Sequence, residues 1–97
     1  MNTIADTITV IQKELLETIH FPHEEVLSDA VLIQFRKYEA QRAMKLGNTY
    51  KDKVKVVFED TEGIKMIETT VWGMTDNDLI FKRGMMVPLN RIHEIII

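Results

Sequence analysis

Histidine and carboxylate side chains that can bind a metal ion stand close together in one short stretch. Residues 20–24 read HFPHE, which places two imidazoles and a carboxylate near each other. Such groups are ligands for zinc and other divalent cations. Pro22 separates the histidines, however, and favours a turn over the helical i,i+4 spacing that points two imidazoles at one ion. We therefore interpret the stretch as a polar turn and expect no metal site.

Carboxylates and hydroxyls occur together at two further places, residues 68–70 (ETT) and 76–78 (DND). Alternation along a strand puts Glu68 and Thr69 on opposite faces, and the second group is typical of a turn. His93 has no evident partner that would make it a general base. With no nucleophile and base at suitable spacing, and no glycine-rich phosphate loop, the sequence predicts a protein that is not an enzyme and has no cofactor.

Basic residues near the C-terminus are the candidates for contact with a ligand or a nucleic acid. They are Lys82, Arg83 and Arg91, and Gly84 follows the first two directly. The formal net charge of the chain is -3, whereas proteins that bind phosphates usually carry a basic excess. We interpret Arg83 as a solvated cation at a strand end and consider nucleic-acid binding the less favoured alternative.

The overall composition is that of an ordinary globular protein. The chain has 97 residues, of which 45% are hydrophobic and 28% are charged, enough for one domain spanning residues 1–97. It contains no cysteine, which fits a reducing compartment. No stretch resembles a signal peptide or a membrane span. We expect a cytoplasmic protein.

The first half of the chain, residues 1–47, has helical periodicity. One apolar stripe predicts a first helix that ends before Pro22: Ile4, Ile8, Ile11, Leu15 and Ile19. A second helix is predicted over residues 26–48, with Gly47 and Asn48 as its C-terminal stop. Its apolar stripe, which we expect to cover one mouth of a barrel, comprises Leu27, Val31, Phe35 and Tyr38.

The second half, residues 50–97, changes to a period of two, which indicates β-strands. Strands are predicted at residues 54–59, 64–74, 79–82, 85–89 and 94–97, with a tight turn at residues 60–63 and a bend at Gly73. The last strand should pair with the first. The predicted fold class is therefore α+β, with N-terminal helices followed by a strongly bent, five-stranded antiparallel small β-barrel.

Residues 43–97 carry several short motifs that occur together in a known group of proteins. They are Leu46-Gly47-Asn48, Tyr50-Lys51, Glu62-Gly63, residues 68–72 (ETTVW) and residues 87–92 (VPLNRI). With them, the segment resembles a family of small uncharacterised bacterial proteins with an Sm-like or SH3-like barrel. The resemblance implies a single domain of this fold and implies no activity.

The Sm-like resemblance also implies a specific alternative function. Sm-like RNA-binding proteins carry an Arg-Gly pair followed after two residues by a valine or isoleucine, a pattern that Arg83, Gly84 and Val87 match. The aspartate and asparagine of the family's base pocket would correspond to Asp76 and Asn77, but the spacing differs. The early glycine of the family's second strand is also absent. An RNA-binding regulator is therefore the alternative interpretation.

Apolar residues outnumber the interior positions of so small a barrel, and this surplus suggests a partner. The surplus comprises Val57, Ile64, Met66, Trp72, Leu79, Phe81, Met85 and Met86. The candidate interface consists of Trp72 and the stripe of the first helix. We therefore hypothesise a non-enzymatic, self-associating adaptor or regulatory module, most simply a dimer. A third hypothesis is an acidic, protein-binding inhibitor.

Overall fold

The computed structural model describes residues 8–97, in which the chain forms one α-helix and seven β-strands. The helix, α1, spans Ala30–Tyr50. The strands are β1 (Thr9–Val10), β2 (Val54–Glu59), β3 (Ile64–Thr69), β4 (Val71–Met74), β5 (Asp78–Phe81), β6 (Met86–Pro88) and β7 (Ile92–Ile96). Short 3₁₀ helices occupy Lys13–Thr18, Lys82–Gly84 and Leu89–Arg91. The strands form two sheets, with the orders β1-β3-β2-β7 and β4-β5-β6.

The predicted fold class of N-terminal helices and a five-stranded barrel is wrong. The strand expected over residues 64–74 divides at Thr70, so that β3 pairs with β2 whereas β4 pairs with β5. A register shift between Val71 and Gly73 follows the division. Within residues 8–97, neither β4 nor β6 pairs with a strand of the first sheet. The two sheets therefore remain separate and no barrel closes.

The helix predicted from the N-terminal stripe is also wrong over the described residues. β1 lies parallel to β3, the Ile11 amide donates to the Met66 carbonyl at 2.9 Å, and a 3₁₀ helix follows. Residues 8–11 read ITVI, and β-branched side chains lose rotamer freedom in a helix and fit strands well. This local preference, together with the open edge of β3, outweighs the helical spacing of the isoleucines.

The bounds of α1 follow from its capping residues. Asp29 Oδ1 accepts a hydrogen bond from the Val31 amide at 2.8 Å, which is a standard N-cap. Lys51 adopts the left-handed conformation at the C-terminal end, with φ 58°, and its amide donates to the Gly47 carbonyl. The stop predicted at residues 47–48 is therefore wrong by one turn, and Gly47 lies inside the helix.

Two predictions for the sheet region are confirmed, one for a turn and one for the pairing of two strands. In the turn between β2 and β3, Asp60 Oδ1 accepts hydrogen bonds from the amides of Glu62 and Gly63, and Gly63 has a φ of 144°. The last strand, β7, pairs antiparallel with β2 as expected.

The core fills the space between α1 and the two sheets. Its largest fully buried apolar side chains are Phe58, Phe81, Ile67, Leu79, Ile92, Val56, Val71 and Val87. Leu79, Phe81 and Val57 had been assigned to surplus surface, but they are buried. Of the other members of the expected apolar surplus, Ile64, Met66 and Met85 are half-buried, and Trp72 and Met86 are exposed. Of the helices in residues 8–97, none has the length and apolar character that crossing a membrane requires.

Candidate interaction surface

The buried apolar residues on the face of α1 that packs on the sheets are small. Ala40, Ala43 and Gly47 are buried and recur at spacings of three and four, which places them on one side of the helix. A Cβ atom at Gly47 would overlap the carbonyl oxygen of Val71 in β4. The small side chains therefore let the helix backbone approach β4 closely.

The opposite face of α1 carries large apolar side chains that face solvent. Val31 is 74% exposed, Leu32 50%, Phe35 58% and Tyr38 59%. The rings of Phe35 and Tyr38 lie together, with centroids 6.5 Å apart. We call these four residues the outer patch. Singly exposed apolar side chains are common, but a contiguous patch of this kind usually marks an interaction site.

A groove borders the outer patch on the side of β7. It has a volume of about 470 Å³, and Leu32, Phe35 and Ile95 contribute apolar lining. Glu39 and Glu94 add carboxylates to the same groove. Glu39 is 8% exposed, and its carboxylate lies 3.6 Å from the guanidinium of Arg42. Arg36 and His93 complete the lining, so the groove extends the outer patch with a polar margin of mixed charge towards an edge strand.

Arg36 fixes the helix to the segment that precedes it. Its guanidinium binds both carboxylate oxygens of Glu25, at 2.7 and 2.5 Å, and donates to the Ile92 carbonyl at 3.0 Å. The Arg36 guanidinium also holds the pKa of Glu25 below its usual range. Bidentate pairs of this kind have defined geometry. The orientation of α1, and hence of its outer patch, is therefore constrained at the N-terminal end.

Arg91 holds the same segment from the other side. It is buried, its Nε donates to the Glu59 carbonyl at 3.0 Å, and its Nη1 donates to the Glu24 carbonyl at 2.7 Å. Glu59 also binds His93 Nε2 at 2.8 Å. His93, which appeared isolated in the sequence, therefore has a carboxylate partner. Arg91 thus ties residue 24 to β2, and the contact of His93 with Glu59 ties β7 to β2.

The three basic candidates do not form one binding site. Arg91 is 5% exposed and donates to backbone carbonyls, so it serves the fold. Lys82 and Arg83 are exposed and share the 3₁₀ helix after β5, where Arg83 has a φ of 70°. Arg83 borders a pocket of about 210 Å³ whose lining includes Glu17, an acidic residue that does not favour a phosphate.

The predicted interface residues are placed on different parts of the molecule. Ile4 lies outside the described residues. Ile11 and Ile19 pack against the core, and Ile8 is half-buried. Leu15 and Trp72 are about half exposed, on the 3₁₀ helix and on β4 respectively. The described members of the stripe therefore do not make one exposed face.

Polar groups of residues 20–24 serve the interior contacts of the turn. The His20 carbonyl accepts from the Thr61 amide at 3.3 Å, and the His23 carbonyl accepts from Asn90 Nδ2 at 2.6 Å. Phe21 packs on Phe58 with ring centroids 5.7 Å apart. Across residues 8–97, no three histidine or carboxylate side chains converge in a way that could hold a metal ion.

The chain matches no protein-family model, no curated protein and no solved structure. The resemblance to small uncharacterised bacterial proteins therefore stays a prediction, and the site has to be judged from its own geometry.

Val31, Phe35 and Tyr38 form a recognisable stripe in the sequence, but they were predicted to cover a barrel mouth and are exposed. A second stripe was available, because Ala40, Ala43 and Gly47 fall at spacings of three and four. Small residues at such spacing are a signal of close backbone approach. That signal could have indicated which face packs inward.

Proposed function

We propose that the protein is a cytoplasmic, non-enzymatic interaction module of an adaptor or regulatory kind, which acts as a homo-oligomer. The surface through which it associates is the outer patch of α1. The single observation that carries this proposal is the exposure of four large apolar side chains on one helix face. Leaving such a patch in water is unfavourable by roughly 25 cal/mol per Å².

The ionisable groups with shifted pKa values support a non-enzymatic role. Arg36 lowers the pKa of Glu25. Burial alone would raise the pKa of Asp60, but hydrogen bonds from Lys65 and from the Glu62 amide lower it. The Asp60 carboxylate in turn raises the pKa of Lys65. Asp60 and Lys65 line a pocket of about 270 Å³, but each of the three shifts moves the pKa away from neutrality and keeps a paired group charged. A general acid or base works best with a pKa near the operating pH.

The experiment that tests the proposal is light scattering coupled to size exclusion, from micromolar to several hundred micromolar protein. We expect the native mass to rise with concentration and the Phe35→Glu variant to remain a monomer, because its carboxylate would be buried in the contact. Leu15→Glu is the matched control, since Leu15 is 50% exposed on a different surface.

Two results would contradict the proposal. A native protein that stays monomeric over the whole range does not self-associate. Association that persists in Phe35→Glu but is lost in Leu15→Glu would place the interface on the N-terminal segment.

A further inference from the structure

We infer that the outer patch binds the same patch of a second copy, with the two α1 helices antiparallel about a twofold axis that passes between Phe35 and Tyr38. This inference rests on the proposed function and specifies its geometry. The contact is isologous, so each copy supplies the same residues.

The spacing along the exposed face of α1 is that of a helix-pairing seam. Val31, Phe35, Tyr38, Arg42 and Lys45 follow one another at intervals of four, three, four and three. This is the heptad repeat by which two helices pack side by side. Arg42 and Lys45 are exposed like the apolar members, so the seam is accessible over four turns of the helix. The seam is apolar at its N-terminal end and basic at its C-terminal end.

The unequal ends of the seam determine the relative direction of the two helices. A parallel pair would place Arg42 and Lys45 beside the same cations of the second copy, which is repulsive. An antiparallel pair places them at the N-terminal end of the second helix. That end carries the exposed carboxylates of Glu24 and Asp29, whereas Glu25 is already paired with Arg36. The positive pole of the helix dipole at this end faces the Asp29 carboxylate. The acidic residues complement the basic end of the other copy.

The register follows from keeping the aromatic rings together. With the axis between Phe35 and Tyr38, each Phe35 lies opposite the Tyr38 of the second copy, and each Val31 lies opposite Arg42. Lys45 then lies opposite Ser28, next to Asp29.

A shift of one heptad in either direction would place Tyr38 against Ser28 or both aromatic rings against basic residues. The chosen register is the one that buries both rings and pairs the charges.

The size of the patch predicts a weak dimer. Taking 150–250 Å² for an aromatic side chain, Phe35 and Tyr38 each offer roughly 100 Å² at their observed exposures. A stable interface of standard size covers about 800 Å² on each partner. The seam and the adjoining groove together fall in the weak, transient class, so association should be measured at high concentration.

Cysteine cross-linking tests the geometry, and the native chain has no cysteine that would interfere. The double variant Val31→Cys with Arg42→Cys should form a covalent dimer under mild oxidation at least tenfold faster than either single variant. Within one helix these positions lie roughly 16 Å apart, well beyond the separation of about 7 Å that a disulfide tolerates. The two cysteines of one chain therefore cannot bond to each other, and cross-linking faster than in the single variants reports that two copies pair in this register.

A second measurement keeps the inference testable if the double variant does not fold. A nitroxide spin label on Lys45→Cys reports the distance between the two copies, and position 45 is exposed. The antiparallel register predicts a separation of roughly 25 Å along the axis, whereas a parallel pair brings the labels together.

The possible results separate the two proposals. If association is lost in Phe35→Glu but single cysteine variants cross-link as fast as the double variant, the proposed function stands and the antiparallel register is wrong. A short distance between the spin labels at position 45 would also show that the antiparallel register is wrong, while the proposed function would stand. If association is unchanged in Phe35→Glu, or the native protein remains a monomer, both the surface and the register are wrong.

Discussion

The two faces of α1 differ in a way that inverts the usual pattern for a helix on a sheet. The buried apolar residues of the inner face are the small Ala40, Ala43 and Gly47, whereas the exposed face carries Val31, Phe35 and Tyr38. Burying the larger side chains would remove more apolar surface from water. The comparison teaches that close backbone approach, and not side-chain volume, fixes the orientation of this helix.

The inner face should be the more sensitive of the two to substitution. Gly47→Ala should lower the free energy of unfolding by about 3 kcal/mol, because the added methyl overlaps the Val71 carbonyl and overpacking is costly. This loss outweighs the gain of about 1 kcal/mol that alanine normally brings within a helix. Urea denaturation followed by circular dichroism measures it.

Asn48→Ala is the control, since Asn48 is the next helical residue and is exposed. A Gly47→Ala variant as stable as the native protein would mean that the helix does not approach β4 as closely as described.

Arg36 lies on the buried side of α1, and its loss should have the second largest effect. Arg36→Met should destabilise the protein by about 2 kcal/mol, because it breaks the pair with Glu25 and leaves the Ile92 carbonyl without this donor. The expected loss of stability is smaller than for a fully buried pair, because the Glu25 side chain is about a third exposed and water screens the pair.

Arg42→Met provides the comparison from the outer face. Arg42 is 55% exposed and lies 3.6 Å from Glu39, so its replacement should change stability by less than about 0.5 kcal/mol. Equal effects of the two arginine variants in thermal unfolding would contradict the difference that we assign to the two faces.

The contact between Arg36 and Glu25 should also appear in the pH dependence of stability. The pKa of Glu25 is lowered in the folded protein, so its contribution is present above its unfolded value, near pH 4.5, and is lost as the pH falls through the folded value. We therefore expect the free energy of unfolding of Glu25→Gln to fall less steeply than that of the native protein as the pH is lowered from 6 to 2. We call this fall the acid limb.

Arg36→Met should flatten the same limb, because it removes the cation that lowers the pKa. Asp60, whose pKa is also lowered, remains in both variants and should preserve part of the limb. An acid limb identical in Glu25→Gln and the native protein would show that the pair does not stabilise the folded state.

The outer face should be nearly neutral for folding. Phe35→Ser should change the free energy of unfolding by less than about 0.5 kcal/mol when measured at low micromolar concentration, where we expect monomers, because the side chain is already largely hydrated. The same variant should weaken association in light scattering. A large loss of stability in the monomer would instead assign Phe35 to the core.

The smallest effect is expected from charge at the basic end of the seam. Lys45→Glu should raise the dissociation constant of the dimer about fivefold, because each of two symmetric contacts with Asp29 is worth roughly 0.5 kcal/mol. Lys37→Glu makes the same change of charge on a residue that lines a different pocket. If sedimentation gives equal dissociation constants for Lys45→Glu and Lys37→Glu, then Lys45 does not lie near Asp29 of the second copy, and the charges do not support this register.

The sequence by itself determined the elements whose signals are local. Val54, Val56 and Phe58 alternate with polar neighbours and form β2, and Asp60 and Gly63 form the turn that follows it. The long helix predicted over residues 26–48 was equally clear from its period, and the observed helix spans Ala30–Tyr50. In each case the preference of neighbouring residues decides the conformation.

Only the tertiary structure decided which way these elements face. The N-terminal isoleucines satisfy a helical period, but the open edge of β3 pairs with β1 and holds that segment in a different conformation. The helix α1 has two stripes with the same period, so the spacing of its apolar residues does not choose between them. The contact of Gly47 with Val71, distant in sequence, makes that choice. Burying the small stripe leaves Val31, Leu32, Phe35 and Tyr38 in solvent, where they form the candidate site.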